Sequence, residues 1–498
     1  VTTIDLDSPA DVGRLERWTD WLNPILLKEV RQAMRGRYFK ISFWFTLAVA
    51  TIVGLSVCMA AIIGGGEDAV LGPPFFIAMF ACLTLAAQVL VPFSSFLSMG
   101  SEWDENTWDL LVLSNLRPRQ IVLGKVLSAG VQALLYYSAF GPFLVFAFLL
   151  RGIDMTALFV SLSISFAGSL LLSCLAVAMS SFSRARFARV LLLVLLAVAL
   201  IQAGIGSVAW GAQLMFFPGE LHDPEMLQAI GAVLTTAVAV AAFFFAAACA
   251  RLAHPEENRS TGLRVMTLLV LASGLAWATY IMGARVDDDA VIGFSSLAFA
   301  GLGVASIFFS TEPERLGRRV AATLPKNRLL AWLATPFLPG GMRGLLFFIV
   351  GGGLISAWVY VYPSIADPSF SFKGGQVWIP PTILGYGVVY LGLPGAMASF
   401  KADKMVTRIL SRLGILAFFL GSIILPTLFT FLLDLDGWQD WEHPGNIFLV
   451  VDHLWREPMT YGAQFAFVVG AVGLVLLLNS WRFVKMVREM RTVLRERT

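Results

Sequence analysis

Glu102, Asp104, Glu105 and Asp109, followed by Arg117, Arg119 and Lys125, fall within one stretch, SEWDENTWDLLVLSNLRPRQIVLGK, between two long hydrophobic segments. Carboxylates at one end and guanidinium groups at the other suit directional ion pairs with a soluble partner, which set register and specificity. They do not suit bond making. Gly124-Lys125 is followed by Val126 and lacks both the upstream glycine and the hydroxyl that a phosphate loop uses to hold nucleotide and Mg²⁺. There is no G-x-S-x-G elbow and no H-E-x-x-H helix. The four histidines are all predicted in loops. His443 and His453, with Asp452 nearby, share their loop with Trp438, Trp441 and Trp455, which read as an interfacial aromatic belt rather than a metal site. No catalytic residue, metal or cofactor is expected. The chain is read as a non-enzyme, and any ATP hydrolysis is expected from a separate subunit.

The elements that must position this stretch are membrane helices. Of 498 residues, 57% are hydrophobic and only 14% charged, against about 25% charged in soluble domains. About twelve segments approach the ~20 residues that cross a bilayer. The first six are 41–64, 74–99, 126–150, 156–180, 190–211 and 226–250. The second six are 265–282, 290–309, 345–361, 380–400, 409–433 and 460–481. These runs are too long and continuous for barrel strands, so the expected fold class is all-α, a polytopic integral membrane protein. Its expected parts are a lead-in over 1–40, a six-span domain over 41–250, two further spans over 251–310, a linker over 311–344, a four-span block over 345–481 and a basic tail over 482–498. The tail reads as solvated or lipid-associated. The second six spans are either a diverged repeat or an appended module, since no second copy of the Ser101–Lys125 pattern occurs.

Lys and Arg fall on alternate loops: Lys28 to Lys40, Arg117 to Lys125, Arg184 to Arg189, Arg251 to Arg264, Arg315 to Arg328, Lys401 to Arg408, and the tail. The intervening loops hold only Arg151, Arg285, Lys373 and Arg456 and are otherwise acidic, as in Asp287–Asp289 and Asp434–Glu442. The positive-inside rule therefore puts both termini, and Ser101–Lys125, on the cytoplasmic side. Val1–Asp20 is polar and lacks the apolar core of a signal peptide. Cys58, Cys82, Cys174 and Cys249 lie inside predicted spans and read as small packing residues. From Asn23 the lead-in reads as an amphipathic helix, with Asn23 capping, Pro24 in the first turn, and Leu26, Val30 and Met34 opposite Lys28, Arg31 and Arg35.

Glu102, Glu105, Thr107, Asp109, Leu110, Leu111, Ser114, Arg119, Ile121, Val122, Gly124 and Lys125 together resemble the cytoplasmic coupling segment of type-2 ABC exporter permeases. Asn106 stands where that family usually has Gly, and Asn115 where Pro is common; both are turn positions that Asn tolerates. Asn23-Pro24, Lys28-Glu29 and Arg31 resemble the connecting helix that precedes the family's first span. The resemblance covers roughly the first 250 residues. It implies a permease subunit in a bacterial inner membrane, lining a translocation pathway and docking a separate ABC ATPase through Glu102–Lys125, as a homodimer or pseudo-dimer.

The predicted spans contain no Asp, Glu or Lys, and only Arg412 near one end. Gradient-driven carriers place ionisable groups or broken helices at mid-membrane, so energy is expected from outside the bilayer. The alternative is a non-transporting membrane scaffold with the same fold. An uncharged pathway fits drugs, lipids and lipid-linked glycans alike.

Overall fold

A computed structural model of the chain describes residues 24–64, 71–104, 117–150, 152–182, 186–217, 219, 223–254, 257–283, 286–314, 316–399, 405–433, 445–456 and 462–495. Among these residues the regular structure is helical, with no strand. Eleven helices are long and apolar enough to cross a membrane, and a twelfth apolar stretch, Leu410–Leu425, lies within the helix Met405–Leu433. The protein is a multi-pass, all-α membrane protein. It divides into two compact units, Val1–Ala253 and His254–Thr498.

The first unit opens with α1 (Pro24–Arg35) and α2 (Arg37–Gly64). The next span is interrupted: α3 (Gly72–Thr84) runs into a π-helical turn, Leu85–Leu90, and continues as α4 (Val91–Asp104). Then follow α5 (Pro118–Leu149), α6 (Met155–Ser181), α7 (Arg186–Phe216) and α8 (Pro224–Leu252). Proline begins α1, α5 and α8, where its missing N–H costs nothing. Asp154 caps α6 by accepting from the Ala157 N–H at 3.0 Å. The interrupted span is the centre of the unit: 61% of its most apolar window is buried, against 17% for α2. Phe76, Phe80 and Leu83 of α3 pack with Tyr136, Phe140 and Leu144 of α5 in the main core.

The second unit holds α9 (Thr261–Met282), α10 (Asp288–Ser310), two short helices α11 (Arg318–Ala322) and α12 (Arg328–Leu333), α13 (Gly341–Ala366), α14 (Ile379–Ser399), α15 (Met405–Leu433), α16 (Ile447–Arg456) and α17 (Gly462–Arg495). Gly344 lets α13 meet α10 backbone to backbone, since a Cβ there would lie 2.2 Å from the Phe309 carbonyl oxygen. α17 runs unbroken to Arg495, and its Met490 and Leu494 are buried with Val320, Leu324, Ala331 and Leu338. The tail expected to be solvated or lipid-bound is therefore packed on the 316–338 segment. His453, expected in a loop, lies on α16.

Candidate functional site: a charged latch in the first unit

α1 and the start of α5 cross at Gly124. A Cβ on Gly124 would come within 2.8 Å of Ile25 Cγ2 and 3.1 Å of the Leu26 nitrogen. Only glycine admits this approach without a shift of α1. Ile25, Ile121, Val122 and Val126 close the contact and share a core with Met99 of α4 and with Val177 and Leu252 of α6 and α8.

That crossing places Glu29 of α1 and Lys125 of α5 side by side. The Lys125 ammonium donates to Glu29 Oε1 at 3.0 Å and to Ser98 Oγ at 3.0 Å, and lies 3.1 Å from Glu102 Oε1. Ser98 in turn donates to Glu29 Oε2 at 2.8 Å. Lys28, on the exposed side, stands 3.5 Å from Glu102 and 3.8 Å from Glu29. Lys125 is 3%, Glu102 6% and Glu29 7% exposed. Two carboxylates and two ammonium groups leave the cluster formally neutral, as a buried charged set must be to persist. A cavity of about 290 Å³ adjoins it, with Glu29, Ser98, Lys125 and Gln132 in its wall.

One correction follows. Glu102, expected on the outer face of the coupling segment, is 6% exposed and points inward to Lys125. The side of α1 that packs within the unit carries Ile25 and Glu29, and Met34, expected on the apolar face, is 43% exposed. Arg31, Arg117 and Arg119 are exposed, and Pro24 begins α1. Asn23, Glu105, Thr107, Asp109, Leu110 and Leu111 lie outside the described residues. Asp104, at the end of α4, pairs with Arg189 of α7, which also donates to the Gly100 carbonyl at 2.6 Å. The latch thus holds α1, α4 and α5 together at the two ends of residues 105–116, with α7 tied to the same place.

The second unit carries buried charges that hydropathy did not reveal. Arg264 and Arg343 are both 0% exposed. Arg264 donates to Glu312 at 2.7 Å and to the carbonyls of Pro336 and Leu338 at 2.7 and 2.6 Å. Arg343 donates to Glu489 of α17 at 3.0 Å, and Arg482 to Glu314 at 2.6 Å. At the opposite ends of these helices, the carboxylates of Asp287, Asp288 and Asp289 lie within 4.8 Å of one another. The Lys373 ammonium meets Asp288 at 3.0 Å, and that hydrogen bond raises the Lys373 pKa above its ordinary value. The cysteines are all free thiols. No family model, no curated protein and no solved structure matches the chain.

Proposed function

We propose that the chain is the membrane-spanning permease subunit of a type-2 ABC transporter, an exporter, with both termini in the cytoplasm of a bacterial cell. Residues 105–116 dock a separate ATPase in this reading. The observation that supports it is the latch: Glu29, Glu102 and Lys125 fasten α1, α4 and α5 to each other on either side of that segment. A push delivered there would reach three helices at once rather than flex a loose loop. The chain supplies a path and a lever, and hydrolysis happens on the partner.

The test is reconstitution in vesicles with a soluble ATPase encoded beside it, following ATP hydrolysis with and without the chain. Stimulation is expected, and replacing Asp109, Leu110 and Leu111 together by Ala should lower it at least tenfold while the membrane fold persists. Stimulation that is absent in the parent, or unchanged in the triple variant, defeats the reading.

A further inference from the structure

Asp287, Asp288 and Asp289 open α10 with three carboxylates in a row, and an oxygen of each lies within 4.8 Å of the others. Acidic residues gather at helix N-termini through the backbone dipole alone, so the triad by itself is not a site. Its surroundings add to it. Asp287 stands at the capping position, yet its side chain makes no capping hydrogen bond. Lys373 offsets one carboxylate by meeting Asp288 at 3.0 Å, and two negative charges remain.

The second observation comes from another element. Gln376 lies in the short turn Gly374–Trp378 ahead of α14 and is 3% exposed. Its amide reaches into the triad, where Nε2 donates to Asp289 Oδ1 at 3.2 Å. The oxygen of the same amide, Oε1, is buried and has no hydrogen-bond partner. Leaving a buried acceptor unpaired costs about 1–3 kcal/mol, and a cation beside the triad would remove that cost. These groups hang on a packed frame: Val291 and Ile292 of α10, Ile379 of α14 and Leu454 of α16 share one buried cluster. Gly375 admits α16 there, since a Cβ on it would lie 2.7 Å from the Leu454 carbonyl oxygen.

We propose that Asp287, Asp288, Asp289 and Gln376 bind a calcium ion that ties the start of α10 to the turn before α14. Ligand chemistry selects the class. The donors are all oxygens, as hard divalent cations require, and the cluster holds no imidazole or thiolate to favour a transition metal. Distance selects the ion. Two ligands of one ion stand at most two bond lengths apart, about 4.6–5.2 Å for Ca²⁺ and about 4.2 Å for Mg²⁺. The 4.8 Å span of the triad is within reach of the first and beyond the second. Asp287 and Asp289 are exposed, so water completes the coordination. An open site of this kind binds at about 10⁻⁴–10⁻³ M. The ion is structural, and the inference stands apart from the transport reading.

Equilibrium dialysis of the purified chain in phosphatidylcholine nanodiscs against radioactive Ca²⁺ tests it. One ion per chain is expected, and Asp289→Asn and Gln376→Leu should each weaken binding about tenfold or more. Asp287→Asn should do the same while leaving the thermal midpoint in chelator unchanged, because Asn suits the capping position as well as Asp. The parent's midpoint should rise by roughly 3–5 °C on saturation with Ca²⁺. No binding at about 10 mM Ca²⁺, or competition by Mg²⁺ on equal terms, would leave the triad as a helix-dipole feature and overturn the proposal. Full binding in all three variants would place the ion elsewhere and overturn it equally.

Discussion

Lys125 is the residue on which the latch turns. Lys125→Met removes the cation from between Glu29 and Glu102 and leaves two buried carboxylates facing each other. Breaking a buried pair from one side costs about 3–5 kcal/mol. The thermal midpoint should fall, and a thiol placed at position 25 should become reactive as α1 lifts. Glu29→Gln combined with Lys125→Met should restore part of the loss, because the double variant strands less charge; a strictly additive double variant would show that the two do not interact. Gly124→Ala tests the crossing itself, with an expected loss of about 1–3 kcal/mol from overpacking against Ile25 and Leu26. Charge reversal separates the two acidic residues once read alike. Glu102→Lys should damage the fold, and Glu105→Lys should spare it while weakening an ATPase contact.

At the scale of elements, hydropathy alone placed the helices, because a run of apolar residues too long for any other use leaves one solution in lipid. Among the described residues eleven helices are long and apolar enough to cross a membrane, with a shorter apolar stretch at Leu410–Leu425. What hydropathy could not reveal is where the helix ends bear charge. Arg264, which reads as an ordinary loop cation, and Arg343 lie just outside the apolar windows at 265–282 and 345–361. Their burial depends on Glu312 and Glu489, 48 and 146 residues away, which no local pattern links to them. Glu29 and Lys125 were legible as motif members, but their pairing required a helix crossing. The tail gives the prediction for this scale. Ending the chain after Lys485 removes Met490 and Leu494 from the 316–338 segment and Glu489 from Arg343. Limited proteolysis should then cut within 316–338, where the full chain resists.

For the whole molecule, the alternation of Lys and Arg predicts the placement of every loop. A cysteine put at Trp441 should react with an impermeant reagent on intact cells; reaction only after permeabilisation would invert the topology. Flux in reconstituted vesicles should follow ATP and persist when proton and sodium gradients are collapsed by ionophores. Flux that vanishes with the gradient while ATP stays saturating would remove the ABC reading, and a stable ATPase complex without flux would favour the scaffold.

The pairing of Arg343 with Glu489 also has a consequence for biosynthesis. A chain emerges from the ribosome N-terminus first, so α13 enters the membrane with a guanidinium that only the finished fold buries, and another 146 residues must follow before its carboxylate. Until α17 arrives, the second unit carries an unneutralised charge at the base of its bundle. Arrival of α17 therefore neutralises Arg343, and the guanidinium lacks its carboxylate for as long as that helix is missing. Nascent chains arrested before Glu489 should be cleared by membrane proteases faster than chains arrested after Arg495.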